Sequence, residues 1–395
     1  MTFIAAELAH WAAALEPTGD DLELARRSLV DTVAVAVAGR NEPVVSMAAD
    51  LPEAARWAVA GHILDFDDLH MKSTTHISAV CVPAVLATDG DARAYLAAAG
   101  VMARLGTGLG WAHYSSGWHA TTTAGALAAA VGAGLGLGLD AERVATAMAL
   151  AVPGAGGVQR AFGTDAKSLQ VGFAADVGVR AARLAAAGAT ADIGALDSWF
   201  DLLGGDPSTL DMSGPAVPDG LAVKVFPCCY ALQRPISVLS RLARRGLDPA
   251  NVSRIVLKTP KGTVTPLIYH RPETGLQAKF SIEYAAATAL LDPYPGFASF
   301  TDAATQRPAA RRLVDLVDVQ LGEGGDWLLA GELEAEVHVG GRVAHAREQF
   351  PPGSPQRPPS RAELSRKVAT CLAGTSLAPE TIDWSSAANI LRDYV

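Results

Sequence analysis

The chain has 395 residues, half of them hydrophobic and only 18% charged, with a formal net charge of −9. That length can bury a large core and predicts about two domains, while the acidic balance and scattered Lys and Arg exclude a nucleic-acid binder working through a basic face. Four cysteines with one adjacent pair, Cys228-Cys229, form neither a disulfide framework nor a zinc-ligand pattern.

Taken in chain order, the N-terminus Met1–Glu7 lacks the basic and long apolar regions of a signal peptide, so a cytoplasmic protein is expected. Asp20 and Asp21 precede Leu22, Leu24, Ala25, Leu29, Val33 and Val37, with Gly39 at the end: an amphipathic helix with an acidic start. Further helices are expected at 54–60, 92–105, 120–134, 141–151 and 167–187, the last stopped by Gly188. Trp111–Leu139 holds no Asp, Glu, Lys or Arg, but its apolar part is mostly Ala and Gly. Such small residues let helices approach closely in a core and insert poorly into a bilayer, so no membrane association is expected.

The pattern changes after Pro227. Segments 253–259 and 333–339 alternate like strands, the second before Gly340-Gly341, and 280–291 reads as helix. A mainly α chain with a smaller α/β unit at about 236–345 is therefore expected. The Pro-rich segment 351–359 reads as an exposed connector, and 361–372 and 387–394 resume helical spacing.

Chemistry concentrates in one place. His62–His76 crowds Asp65, Asp67, Asp68, His62, His70, His76 and Lys72 into a chain otherwise poor in charge, a setting that shifts pKa values and permits acid/base catalysis. Holding a small polycarboxylate needs cations and hydroxyls, a task that suits Lys167, Lys279, Ser281, Thr121 and Thr122. Removing a proton next to a carboxylate needs a base, which suits His76 and His119. Asp65 and Asp68, three apart, share a face if helical and can orient an imidazole or a lysine.

Five collinear segments carry a resemblance. They are Leu64–Asp68 with His76-Ile77-Ser78, Gly117–Gly125 (GWHATTTAG), Gly163–Gly172 (GTDAKSLQVG), Lys224–Cys229 (KVFPCC) and Ala278–Tyr284 (AKFSIEY). Together they resemble the MmgE/PrpD family, which includes 2-methylcitrate dehydratase, cis-aconitate decarboxylase and iminodisuccinate epimerase. The resemblance implies a large all-α helical domain built from both termini (1–235 and 346–395), a smaller α/β lid domain (236–345), a cleft between them and a homodimer. It places Asp65, His76, His119 and Lys167 on the catalytic positions. Lys279, Ser281 and Tyr284 approach the substrate from the lid, and Asp68, His70, Thr121 and Gln233 complete the expected substrate-binding set.

No metal and no cofactor are expected. His-x-x-x-His and Cys-x-x-Cys spacings are missing from the sequence, the cysteines are not arranged for an iron–sulfur cluster, and the Gly-rich pieces at 132–136 and 154–157 lack a dinucleotide-binding context. Gln233 stands where many family members carry His, Leu69 stands at or beside a position where dehydratases and decarboxylases commonly have Thr, and one extra residue precedes His76. These departures leave three readings open: a lyase acting on a small di- or tricarboxylate, an isomerase or epimerase of such a substrate, or a binder without turnover.

Overall fold

The computed structural model describes residues 3–292 and 294–395. It is 56% helical with one small mixed sheet, so the mainly α expectation holds. Its contacts group into two compact units. One comprises Met1–Arg160, Asp165–Ala222 and Leu364–Val395, and the other Ala161–Thr164 and Val223–Glu363.

The larger unit is a helix-on-helix core. Its helices are α1 (Ile4–Ala14), α2 (Gly19–Gly39), α3 (Pro43–Met47), α4 (Glu53–Ile63), α5 (Ile77–Leu86), α6 (Ala92–Ser115), α7 (Ala120–Gly136), α8 (Ala141–Ala151), α9 (Ala166–Ala186) and α10 (Ala195–Leu202). Helix α2 starts on a capping box in which the Thr18 hydroxyl accepts from the Asp21 amide and the Asp21 carboxylate accepts from the Thr18 amide. Every residue of α5 is buried, and so are Ala120–Gly134 of α7. Small residues make this density possible. A Cβ on Gly178 of α9 would lie 2.3 Å from the Ala129 Cβ of α7, and one on Gly172 would lie 2.8 Å from the Ala55 carbonyl of α4. Helix α9 therefore packs against both neighbours at backbone distance, which fixes the direction in which its first turn points.

The smaller unit holds α11 (Gln233–Arg244), the single-turn helices α12 (Lys261–Val264), α13 (Gly275–Ala278) and α15 (Asp302–Thr305), and the longer α14 (Ile282–Leu291) and α16 (Pro308–Val314). Strands β1 (Val252–Pro260), β2 (Val317–Gly322), β3 (Leu333–Val339) and β4 (Arg342–Glu348) form a sheet in the order β2-β1-β3-β4. Strands β1 and β2 are parallel, while β1–β3 and β3–β4 are antiparallel. Gly340 and Gly341 both have positive φ, 55° and 77°, the conformation that a two-residue hairpin demands. Helix α17 (Arg361–Cys371) carries the chain back to the larger unit, where α18 (Ala387–Tyr394) ends it.

Two expectations need correction. The first part of the Pro-rich segment, 351–354, is buried, while 355–358 are exposed as expected. Gly353 sits so close to the Val223 carbonyl that a Cβ would meet it at 1.8 Å, and its own carbonyl accepts from the Val223 amide. Helix α6 also runs ten residues past Leu105, interrupted at Gly110 (φ 67°); Gly106, Gly108 and Gly110 in this stretch weaken its helical signal in the sequence. Among the described residues no helix is long and apolar enough to cross a membrane.

Candidate active site

Three helices of the larger unit begin within one cluster. His76 occupies the N-cap position of α5, His119 that of α7, and Lys167 lies in the first turn of α9. A fourth helix, α4, brings His62 in its last turn. Helix N-termini carry partial positive charge and outward amide groups, so their convergence favours an anion.

The loop after α4 supplies the carboxylates. Asp65 adopts a left-handed backbone (φ 52°), a conformation unfavourable for a residue with a Cβ and characteristic of sites where surrounding structure enforces it. Its carboxylate lies 3.3 Å from Lys167 Nζ. One oxygen of Asp67, Oδ2, is 2.7 Å from His62 Nδ1 and 3.0 Å from His76 Nδ1. With Nδ1 of His62 donating to that carboxylate, its Nε2 is left to accept, and Lys167 Nζ donates to it at 2.5 Å. His62 is thus a neutral bridge between Asp67 and Lys167. Burial pushes its pKa down to about 4, against the opposing charge of Asp67.

His119 is fixed from the other side. The Gln170 side-chain amide donates to its Nδ1 at 3.0 Å, and the Gln170 oxygen accepts from the Val158 amide at 2.9 Å, which sets the orientation of that amide. His119 therefore carries its hydrogen on Nε2. Burial, the Lys167 charge and the neighbouring imidazoles hold its pKa well below the ordinary value. The His62 ring centroid lies 4.7 Å from that of His76 and 6.1 Å from that of His119. Gly157 (φ 117°) passes so near that a Cβ would come 2.1 Å from the Thr122 hydroxyl, and its carbonyl accepts from the His119 amide.

Access separates the members of the cluster. The His76 side chain keeps 12% of its surface and Lys167 8%, whereas His62 and Asp67 keep none. His76 and Lys167 are thus the more accessible of these four side chains.

Two family models match the chain, the MmgE/PrpD N-terminal domain over residues 50–200 and the MmgE/PrpD C-terminal domain over 226–383. The chain belongs to the MmgE/PrpD family. No curated protein matches it. MmgE/PrpD proteins are typically dehydratases and other lyases, or isomerases. The N-terminal match spans the whole imidazole cluster, from His62 to Gln170.

Of the residues expected at an MmgE/PrpD site, Asp65, His76, His119 and Lys167 come together here. Thr121 supports them: its hydroxyl accepts from the His76 amide at 3.1 Å. Asp68 and His70 are turned to other work. Residues 64–69 are not helical, so Asp65 and Asp68 do not share a face. Asp68 accepts from the Ser78 amide at 3.1 Å and from its hydroxyl, at the start of α5, and His70 bonds Ser73 Oγ and the Pro218 carbonyl. In the smaller unit, the Gln233 amide holds the Lys224–Cys229 segment by accepting from the Val225 and Phe226 amides and donating to the Phe226 carbonyl. Lys279 is buried, and its carbonyl accepts from the Cys229 amide. Ser281 caps α14 by accepting from the Tyr284 amide, and Tyr284 donates to the Ser299 carbonyl at 2.7 Å.

Sequence reasoning gave no role to Asp67 or Gln170 and left His62 open between a functional and a structural one. The signal for Asp67 was spacing two: in an extended loop, Asp65 and Asp67 fall on one side and Asp68 on the other. His62, Asp67 and His76 also form a set able to surround a metal ion. In the structure Asp67 Oδ2 is hydrogen-bonded to His62 Nδ1 and lies 3.0 Å from His76 Nδ1, and Lys167 Nζ donates to the far nitrogen of His62.

Proposed function

We propose that this protein is an acid/base enzyme that removes a proton next to a carboxylate of a small di- or tricarboxylate, acting as a lyase of the 2-methylcitrate dehydratase kind. The observation that carries the reading is the meeting of three helix N-termini around His76, His119 and Lys167, with Asp67 against His76. Asp67 Oδ2 lies 3.0 Å from His76 Nδ1, so the carboxylate stabilises the imidazolium formed when His76 accepts the substrate proton. His76 is also the more exposed of the two candidate bases, His119 being 1% exposed. The His119 Nε2–H is then a neutral donor for a substrate oxygen that gains charge as the C–H bond breaks. Lys167 contributes the cation that holds a carboxylate, and its ammonium is the proton source for a departing hydroxide. In that step the C–H pair becomes the alkene, the proton resides on His76, and hydroxide leaves as water.

Epimerisation is the second reading, favoured by Gln233. An amide cannot transfer a proton near neutral pH, and this one is committed to backbone groups. In an epimerisation His76 removes the proton and Lys167 returns one to the opposite face, with no leaving group. Incubation in deuterated water with 2-methylcitrate, cis-aconitate or a dicarboxylate such as iminodisuccinate separates the readings. A new alkene from 2-methylcitrate supports the dehydratase; deuterium at the carbon next to the carboxylate without net loss supports the epimerase. Loss of carbon dioxide from cis-aconitate points to a decarboxylase. No exchange and no product with any of them, despite binding, overturns the enzymatic reading.

A further inference from the structure

The loop bearing Asp65 and Asp67 is held from 301 residues away in sequence. Lys367, on α17, is buried, and its ammonium donates to the Phe66 carbonyl at 2.7 Å. It also lies 2.7 Å from Asp31 Oδ1 and 2.9 Å from Asp31 Oδ2, on α2, and 4.3 Å from the centroid of the Phe66 ring. The ammonium thus donates to the Phe66 carbonyl and to Asp31 Oδ2, with Asp31 Oδ1 also within ion-pair distance. Phe66 is the residue between the two site carboxylates, so its carbonyl is the handle on both.

We infer that Lys367 and Asp31 are positioning residues for the acid/base cluster, clamping the Phe66 carbonyl so that Asp65 stays left-handed and Asp67 stays against His62 and His76. The inference rests on the acid/base reading for its catalytic consequence, although the clamp itself is a matter of geometry. A left-handed Asp costs backbone energy and persists where neighbours enforce it. Within the loop that enforcement comes from the Asp65 amide donating to the His62 carbonyl at 2.9 Å; beyond it comes Lys367. A buried ion pair is a poor source of net stability, so its place beneath this loop is better explained by what it orients. The pair also ties the returning C-terminal segment to the cluster, so a chain ending before Lys367 would retain the site residues without their brace.

The test is the double variant Asp31→Asn/Lys367→Met, which removes both charges and leaves neither ion buried alone. The expected result is a folded protein whose amides at 64–70 exchange with deuterium faster while the rest of α2, α4 and α7 is unchanged. Turnover falls about tenfold to a hundredfold with KM within about threefold, as expected when orientation but not binding is lost. The acidic limb of kcat/KM moves to lower pH, since His76 loses the steady partnership of Asp67. Unchanged exchange at 64–70 in the folded double variant overturns the clamp, whatever the substrate. Faster exchange there with native turnover and pH profile overturns the positioning role. Should the double variant not fold, Lys367→Arg decides: it keeps the charge beside Asp31 but replaces the compact ammonium with a planar fork, and native turnover in it overturns the proposal. If the parent protein turns over no polycarboxylate, the functional reading fails while the exchange measurement still judges the clamp.

Discussion

Each unit buries a polar centre, and the two are built for different ends. In the smaller unit the fully buried Arg234 donates to the carbonyls of Gly331 and Gln349 and to Thr263 Oγ1, while buried Glu348 takes Ser237, Arg241 and Arg357. These groups sit on fixed partners, and they join α11 to β4 and its flanking loops. In the larger unit the buried groups are imidazoles, carboxylates and a lysine sharing hydrogens, with one edge open at His76 and Lys167. Burial of charge is common to both. What distinguishes the second is that its imidazoles share hydrogen bonds with a carboxylate and a lysine while His76 and Lys167 keep some exposure, the combination on which the proposed acid/base role rests.

The sharpest way to break this contrast is to remove the key residue of each centre. His76→Gln should lower turnover about 10²- to 10⁴-fold with the melting temperature little changed, the scale of a lost general base. Arg234→Met should do the reverse. It strands carbonyls in the interior, costing about 3 kcal/mol or more of stability, while the protein that remains folded keeps the parent pH profile. Steady-state kinetics beside thermal melts for the two variants check this, and near-native turnover in His76→Gln would dismiss His76 as the base.

The second prediction uses pH. His62 and His70 are buried neutral, each lowered to about 4 by desolvation, so between pH 6.5 and 4 the unfolded chain binds protons that the folded one does not. Stability from these groups is complete above about 6.5 and is lost as pH falls towards 4, by at most on the order of 3 kcal/mol for each imidazole. Asp68 works against them. Burial raises its carboxyl to about 7, so its folded form prefers the proton and acidification relieves a penalty. The melting temperature should therefore fall several degrees from pH 7 to 4.5, and fall more steeply in Asp68→Asn, which lacks the opposing term. A flat or rising profile would contradict the neutral, buried imidazoles.

The contrast between the units also explains what the sequence disclosed. Amphipathic helices such as α2 and α8 were legible because one face meets water. Helix α5 was not, since all ten of its residues, Pro83 included, are buried and leave no periodicity. Strand β2 was missed although Val317-Asp318-Val319-Gln320-Leu321 alternates cleanly: it is a short edge strand, half-exposed to exposed throughout, that follows α16 after only two residues. At the site, His76, His119 and Lys167 could be named from motifs, because each opens a helix at a fixed place. Of their partners, Asp65 could be named too, but not Asp67 or Gln170. Asp67 was masked by an assumption of helical geometry in a loop that is extended and left-handed, and Gln170 acts through an amide orientation that no spacing reveals.

The third prediction concerns Lys167, whose ammonium lies in the cluster with 8% of its side-chain surface exposed. Lys167→Met should weaken binding of a di- or tricarboxylate by about 1.5–3 kcal/mol, the worth of a charge-assisted hydrogen bond. The loss should shrink for a monocarboxylate analogue, which the helix N-termini alone can hold. Calorimetric titration of both ligands checks it, and equal losses for the two would mean that Lys167 acts on the fold of the cluster instead.

The smallest effect is expected at Gln170, and it tests whether His119 is a donor at all. Gln170→Leu removes the hydrogen bond to His119 Nδ1 and leaves the ring free to adopt either tautomer, a choice now fixed by an amide that is itself pinned on Val158. If His119 serves as an Nε2–H donor, losing half its population to the wrong tautomer and some of its orientation should cost about tenfold in turnover, or ~1.4 kcal/mol, with KM nearly constant. Gln170→Glu sharpens the point. A carboxylate cannot donate to Nδ1 and instead recruits the hydrogen onto it, so the Nε2–H donor is replaced by an acceptor and turnover should fall below that of the Leu variant. Were Gln170→Glu the more active of the two, His119 would be a base in this cluster, and the assignment of roles between His76 and His119 would have to be exchanged.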